Sequence, residues 1–338
     1  MTGFESLDDR GVLVTGGTGS FGRAFVAAVL ARHRPRRLVV YSRDEQKQAE
    51  MAAGPAFRDR GDVRFFIGDV RDRERLETAM RDIDVVVHAA ALKHVPIAEY
   101  NPIECVKTNV HGAENVVAAA VRAGVARVVA LSTDKAVNPI NLYGATKLAA
   151  DKIFVAANNW SGGAGTRFAV VRYGNVFGSR GSVVPLFRRL LAEGAASLPI
   201  TDARMTRFWI TLERGVEVVL ATIAAMRGGE IVVPRIPSMG IVELAAALAP
   251  GHPTHLVGVR PGEKLHEVLI TEDDARTAWE FADRYVVEPA FATFERAALA
   301  EAGARRVAEG FRYASNDNPD RLDAERFRGL LTNLDEQP

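Results

Sequence analysis

Six short β-branched runs punctuate the first half of the chain: Val12–Thr15, Leu38–Tyr41, Val63–Ile67, Val85–His88, Val128–Leu131 and Phe168–Arg172. Each is apolar almost without alternation, as strands are when both faces of a parallel sheet are covered. The segments between them carry a different period. After the first run, Phe21, Ala24, Phe25, Ala28 and Val29 fall at i, i+3, i+4, i+7 and i+8, one apolar helical stripe that Pro35 ends. Strand and helix alternating over about 170 residues predict a doubly wound α/β sheet.

Past residue 175 the rhythm changes. Prolines and glycines become frequent, helical stretches shorten, and Ile231–Val233 and Leu256–Val259 stand as isolated strand candidates. The pattern predicts a first domain over 1–175 and a smaller substrate domain over 176–338, laid on the carboxyl edge of the sheet. Residues 208–233 are expected to return to the first domain, because Thr211–Met226 reads as a long helix suited to pack on the sheet. The polar tail after residue 310 is expected to be partly mobile.

Composition narrows the classes. Lys and Arg number 43 against 42 Asp and Glu, a net charge of +1, which gives no global cause to bind nucleic acid or an anionic membrane. The single cysteine, Cys105, cannot form an intramolecular disulfide and reads as a buried apolar filler. The start lacks an apolar leader core, and no run approaches the roughly 18 residues of a membrane span, so a soluble cytoplasmic protein is expected. The seven histidines, HPTH at 252–255 included, form no defensible ligand spacing, and no metal is predicted. No G-x-S-x-G nucleophile elbow occurs.

The chemistry-bearing stretches begin where the first strand meets Gly16-Gly-Thr-Gly19-Ser-Phe-Gly22. Gly16 permits a tight turn, Gly19 lets backbone N–H groups approach a pyrophosphate, and Gly22 lets helix and strand pack closely. The following helix turns its N-terminus to the phosphates. At the end of the second strand, where an NAD site wants an acid, stand Ser42 and Arg43, a hydroxyl and a guanidinium suited to a 2′-phosphate. NADP is therefore the expected cofactor, with Asp44 one position later as a competitor. Asp69-Val70 is placed to meet the adenine, and Asp69 is also expected to cap a helix over Arg71–Met80. Farther on, Tyr143 and Lys147 lie four apart on one helix face, downstream of Ser132-Thr-Asp-Lys135. There an ammonium and a cationic nicotinamide would lower the tyrosine pKa from about 10.

With these residues in view the chain resembles an extended short-chain dehydrogenase/reductase, with a Rossmann-like sheet. More narrowly, it is similar to the inverting UDP-N-acetylglucosamine 4,6-dehydratases of pseudaminic acid synthesis. The resembling stretches are TGGTGSFG (15–22), YSRDEQKQ (41–48), HAAALKHVP (88–96), STDKAVNPINLYGATK (132–147), RYGNVFGSRGSVVP (172–185), ITDARMTRFW (200–209) and GVRPGEKLHE (258–267). Glu commonly stands at the position of Lys135 in relatives that retain C5 configuration. Met commonly stands at that of Tyr143 in long membrane-bound ones.

The resemblance implies a set of roles. Gly16, Thr18, Gly19, Ser20, Phe21, Gly22, Ser42, Arg43, Lys47, Asp69, Val70, Ala89 and Ala90 would hold the cofactor together with Tyr143 and Lys147. Tyr143 would take the 4-hydroxyl proton as hydride leaves C4. Lys135 would remove the C5 proton, and protonated Asp134 would assist loss of the C6 hydroxyl as water. Hydride would then return to C6, and C5 would be reprotonated on the opposite face. Thr133 completes the catalytic set. An amine is a base only when neutral, and Lys147 and the nicotinamide cation are expected to depress the pKa of Lys135. Lys93, Asn175, Val176, Val183, Arg207, Arg260 and Glu263 are candidates for the UDP-sugar. A homo-oligomer, dimer or hexamer, is expected through helices around Ile103–Arg122 and Asn141–Asn158. Three other readings remain: a UDP-hexose 4-epimerase, a retaining UDP-N-acetylglucosamine 4,6-dehydratase, and an NADP(H)-binding regulatory scaffold. Asp134-Lys135 weighs against the epimerase, which needs neither an acid at C6 nor a base at C5. The retained trio of Thr133, Tyr143 and Lys147 weighs against the scaffold.

Overall fold

The structure is a computed structural model that describes residues 4–58, 60–161, 165–179, 182–293 and 298–335. Arg180 and Gly181, inside the 172–185 stretch, lie outside the described residues. The first half runs β1 (Gly11–Thr15), α1 (Ser20–Arg32), β2 (Arg37–Ser42), α2 (Glu45–Ala53), β3 (Val63–Ile67), α3 (Arg73–Ala79) and β4 (Val85–His88). It continues through α4 (Val95–Tyr100), α5 (Pro102–Val106), a π turn (Lys107–His111), α6 (Gly112–Ala123), β5 (Arg127–Thr133), a 3₁₀ turn (Asp134–Ala136), α7 (Leu142–Trp160) and β6 (Arg167–Tyr173). The second half adds β7 (Asn175–Val176), α8 (Val183–Ala192), β8 (Leu198–Ile200), β9 (Thr206–Ile210), α9 (Leu212–Ala225) and β10 (Ile231–Pro234). Then follow β11 (Ser238–Gly240), α10 (Ile241–Leu248), β12 (Thr254–Leu256), β13 (Val268–Ile270), α11 (Glu272–Ala275), β14 (Ala278–Glu280), β15 (Arg284–Val287), β16 (Arg305–Arg306), β17 (Tyr313–Ala314) and α12 (Ala324–Asp335).

The main sheet has ten strands in the order β16-β14-β15-β10-β6-β5-β4-β1-β2-β3. From β3 to β10 every pairing is parallel, and β15, β14 and β16 add an antiparallel edge. All residues of β1 and β4 are buried, which accounts for their unbroken apolar runs. The strand order reverses between β1 and β4. Such a switch point opens a crevice beyond the carboxyl ends of the strands, where doubly wound folds bind ligands.

Two returns from the second half complete this sheet. α9 packs on α1 and against β5 and β6, while β10 pairs with β6. The strands over 278–306 extend the sheet further. The hydropathy pattern gave no sign of that second return, because β14 and β16 have only three and two residues. The strand candidate at Leu256–Val259 falls instead at Thr254–Leu256, and Leu256, Val257 and Val259 are exposed.

The remainder of the second half builds a separate core around Phe177, Phe187, Trp209, Leu244 and Phe327. The tail takes part in that core: α12 packs against α10 and buries Phe327 completely. Its polar appearance reflects the outer face of an amphipathic helix. No helix among the described residues is long and apolar enough to cross a membrane.

Candidate active site

A cleft of about 640 Å³ opens at the switch point. Gly16, Thr18, Gly19, Ser20, Phe21 and Gly22 form one end of it. Gly16 has φ 66°, and a Cβ there would meet the backbone of Ala90 at 2.9 Å. A Cβ on Gly22 would meet Gly17 backbone at 2.5 Å, so only glycine lets α1 approach the loop this closely. Gly19 sits at the N-cap of α1 without a side-chain cap, and the first turn holds no acid. Open N–H groups at the positive end of a 13-residue helix fit the pyrophosphate of a dinucleotide. Ala89 and Ala90 line the opposite wall, with the Ala90 N–H donating to Thr15 Oγ1.

At the ribose end, Ser42, Arg43, Lys47, Asp69 and Val70 line the cleft. Thr18 and Ser42 share a hydroxyl hydrogen bond of 2.8 Å. Asp44, the competitor for a ribose hydroxyl, caps α2 by accepting from Lys47 N at 3.0 Å and pairs with Lys47 Nζ at 2.5 Å. Its carboxylate is thereby committed to the protein. The Arg43 side chain is 58% exposed and stands 3.7 Å from Asp69 Oδ2. Asp69 does not cap the next helix as expected. It accepts from the Arg71 N–H and pairs with the Arg71 guanidinium, while Asp72 caps α3 by accepting from Arg75 N. Burial pushes the Asp69 carboxyl up, but Arg71 and Arg43 hold it below the usual carboxylate range.

The other end of the cleft is built where β5 runs into the 3₁₀ turn. Thr133, Lys135, Tyr143, Lys147, Lys93 and Asn175 line it. Asn141 caps α7 by accepting from Gly144 N at 2.7 Å, which sets Tyr143 and Lys147 one turn apart on the inner face. Gly144 packs on the Lys135 carbonyl, where a Cβ would clash. Thr133 Oγ1 donates to Asp134 Oδ1 at 2.9 Å. Lys135 Nζ donates to the same oxygen at 2.9 Å and to Asn175 Oδ1 at 3.3 Å. Asp134 is fully buried behind this wall, and its Oδ2 has no hydrogen-bond partner among the described residues.

The charges differ from expectation in two respects. Lys135 is not depressed. Burial disfavours its ammonium, but Asp134 and Glu267, the latter 3.5 Å away, hold its pKa above the usual lysine value. Lys147 donates to the Leu131 carbonyl at 2.7 Å, and the cation acting on Tyr143 is Lys135. Burial pushes the Tyr143 phenol up to about 12, with Lys135 and the Thr133 hydroxyl pulling the other way. Burial raises the Asp134 carboxyl, so this acid holds its proton better than an exposed one.

Four substrate candidates lie outside the described cleft wall. Val183 packs, partly buried, on the second core. Arg207 spends its guanidinium on the carbonyls of Thr206, Lys264 and Leu265. Arg260 is exposed, and Glu263 accepts from its N–H within the same loop. Val176 does line the cleft, as do Leu131 and Leu212, which nothing in the sequence marked. Cys105 is buried between Asn109 and Thr146.

Sheet order, glycine loop and the Tyr143/Lys147 pair together define an α/β nucleotide-cofactor enzyme with the extended short-chain dehydrogenase/reductase fold. The protein structure of Pen from Bacillus thuringiensis superposes with a TM-score of 0.87 and 35% identity, covering 97% of this chain and 99% of that one. The chain belongs to the polysaccharide biosynthesis protein family, whose pattern matches residues 12–289. Among characterised relatives, the inverting UDP-N-acetylglucosamine 4,6-dehydratase of Campylobacter jejuni is 56% identical over 322 residues, 93% of this chain and 94% of that one. A UDP-glucose 4-epimerase of Rickettsia akari is 38% identical over 97% of this chain and 96% of its own. The dTDP-glucose 4,6-dehydratase DesIV of Streptomyces venezuelae, solved with NAD bound, has a TM-score of 0.66 at 27% identity, covering 75% of this chain and 86% of that one.

Proposed function

We propose that this protein dehydrates UDP-N-acetylglucosamine across C5 and C6 with inversion at C5, giving the 4-keto-6-deoxy sugar, and that NADP serves the reaction. The observation that carries the reading is Asp134-Lys135 beside Tyr143: a buried acid and an amine base, hydrogen-bonded to each other, at a cleft also lined by a phenol. Epimerisation at C4 needs only reversible oxidation there. The second acid and base have work only if C5 and C6 also react. The relationship to the Campylobacter enzyme supports the same reading; the reaction would be a first step toward pseudaminic acid. Incubation with UDP-N-acetylglucosamine tests it: a 4-keto sugar supports the proposal, whereas UDP-N-acetylgalactosamine alone would mean an epimerase.

A bound nicotinamide would supply hydride chemistry, taking hydride from C4 and giving it back at C6, and its cationic form would lower the Tyr143 pKa. The glycine loop and α1 would hold its pyrophosphate, and Ser42 and Arg43 would hold the ribose phosphate. Tyr143 takes the proton of the 4-hydroxyl. The resulting ketone acidifies C5–H. Lys135 removes that proton once its own has left, and the hydrogen bond to Asp134 gives the proton a place to go. A proton moving from Lys135 Nζ to Asp134 produces a neutral amine and a carboxylic acid together. Those are the base for C5 and the acid for the departing C6 hydroxyl. Burial of Asp134, which raises its pKa, favours this transfer.

The NADP assignment has its own test. Arg43→Ala is expected to weaken NADP binding by about 1.5–3 kcal/mol, the scale of a hydrogen bond to a charged group, and to leave NAD nearly unchanged. Asp44, being committed to Lys47 and α2, gives no competing grip on a ribose hydroxyl. Equal losses for both cofactors would remove the 2′-phosphate role.

Self-association is the remaining part of the proposal. Ile97, Tyr100, Ile103 and Ile140 are exposed on and beside α4, α5 and α7, and Tyr100 is 87% exposed. Large apolar side chains clustered in this way suit a subunit interface. We expect a dimer, or a multiple of it, by light scattering at micromolar concentration, and a shift toward monomer in Tyr100→Asp/Ile103→Asp. A monomeric native protein would contradict this.

A further inference from the structure

The 258–267 segment ends on a carboxylate with no role in the mechanism above. Glu267 lies directly before β13, and only 2% of it is exposed. Its N–H donates to Ser315 Oγ at 2.9 Å, and its carbonyl accepts from Ser315 N at 2.8 Å, so the backbone is pinned on both sides by a fully buried residue. From this fixed base the carboxylate meets three cations. Oε1 stands 3.5 Å from Lys135 Nζ and 3.9 Å from Arg207 Nε, and Oε2 stands 3.5 Å from Lys264 Nζ. Lys264 in turn donates to the carbonyls of Val137 and, at 3.4 Å, Asp134, the two ends of the catalytic turn.

We infer that Glu267 is a positioning residue for elimination, acting through Lys135 by aiming the amine and setting the charge balance of the Asp134–Lys135 pair. The inference rests on the dehydratase reading. Of the 3₁₀-turn pair, only Lys135 lines the cleft, and its Nζ is held from three directions, by Asp134, Asn175 and Glu267. Without Glu267 the amine keeps two tethers, Asp134 and Asn175, and loses the one that comes from the 258–267 segment.

The groups facing Lys135 fix the sign of the electrostatic effect. Asp134 and Glu267 favour its ammonium; Arg207 opposes it, and Lys135 in turn lowers the pKa of Lys93 on the far wall. Tyr143 faces the pair as a neutral phenol. Burial alone would raise the Glu267 carboxyl, but Lys135, Arg207 and Lys264 together hold it below the usual range, so it is anionic at neutral pH. Glu267 also raises the Asp134 pKa. Removing its charge therefore lowers the pKa of base and acid alike, and the whole pH profile of elimination moves to lower pH.

The test compares wild type, Glu267→Gln and Glu267→Asp for two readouts on UDP-N-acetylglucosamine. One is C4 oxidation, followed by reduced-nicotinamide absorbance in a single turnover. The other is elimination, followed by keto-sugar formation across pH. In Glu267→Gln the elimination profile is expected to move by about one to two units toward acid, with a lower maximum, while C4 oxidation and KM stay at wild-type values. Glu267→Asp keeps the charge but withdraws it by one methylene, and should show a smaller shift in the same direction. An unmoved profile in Glu267→Gln, or equal loss of oxidation and elimination in both variants, would overturn the inference. If Glu267→Gln does not fold, Glu267→Asp decides alone, and an unmoved profile there refutes it. A wild-type protein that makes no keto sugar would instead refute the dehydratase reading itself.

Discussion

Tyr143→Phe is expected to lose the first chemical step while keeping the fold and the affinity for UDP-sugar. The phenol is the cleft-lining group suited to take the 4-hydroxyl proton, and losing a positioned general base costs roughly 10²–10⁴ in rate. Neither keto sugar nor transient reduced-nicotinamide absorbance should then appear. The structure adds a pH dependence. Burial pushes the phenol up to about 12 before any ligand charge is added, so the fraction of tyrosinate, and with it the rate of C4 oxidation, should rise with pH through the neutral range. A variant that still oxidises C4 at the native rate would show that another group accepts the proton. The phenylalanine should cause little change in stability, because the aromatic ring keeps its packing.

Lys135→Ala should divide the reaction in two. C4 oxidation depends on Tyr143 and should persist, slowed because Lys135 no longer lowers the phenol pKa, so reduced-nicotinamide absorbance accumulates, while loss of water falls by about 10²–10⁴ for want of the C5 base. Asp134→Asn should stall at the same point, since the asparagine can neither receive the Lys135 proton nor deliver one to the leaving hydroxyl. The two losses should not add in the double variant, because the pair works through one shared proton. Lys135→Ala with normal turnover would mean that another residue serves C5.

Much of this was legible in the residues because it is local. β1, β2, β4, β5 and β6 announce themselves through burial on both faces, and the half-exposed edge strand β3 through its apolar residues alone. The glycines of the first loop are required by contacts that a Cβ would violate, as at Gly22 against Gly17. Tyr143 and Lys147 meet through helical spacing alone. What was illegible is long-range or settled by competition. Asp44 stands in sequence as a competitor for a ribose hydroxyl, and only the fold shows its carboxylate capping α2. Asp69 reads as a cap in sequence, but Asp72, three residues on, is the one that caps α3. Arg207 reads as a phosphate ligand, but the return of the 258–267 segment brings the carbonyls of Lys264 and Leu265, which with that of Thr206 accept from its guanidinium. That same return delivers Glu267 to Lys135 across more than a hundred residues, through a register set by Ser315. No spacing rule reaches so far. It also explains why Lys135 carries its charge more firmly than its nearer cationic neighbours suggest. The edge strands over 278–306 are too short for a period to register, and the amphipathic α12 hides its buried Phe327 in a polar composition.

The central claim is that Tyr143, Lys135 and Asp134 act in sequence on one UDP-sugar: C4 is oxidised by loss of hydride to the cofactor, H5 is removed, and a solvent-exchanged proton is added to the other face of C5. The most direct measurement is the wild-type reaction of UDP-N-acetylglucosamine in D₂O, with the product read by NMR. The account predicts a 4-keto-6-deoxy sugar carrying deuterium at C5, with that centre inverted. A product with C5 unlabelled or in its original configuration, or a simple C4 epimer, would contradict it.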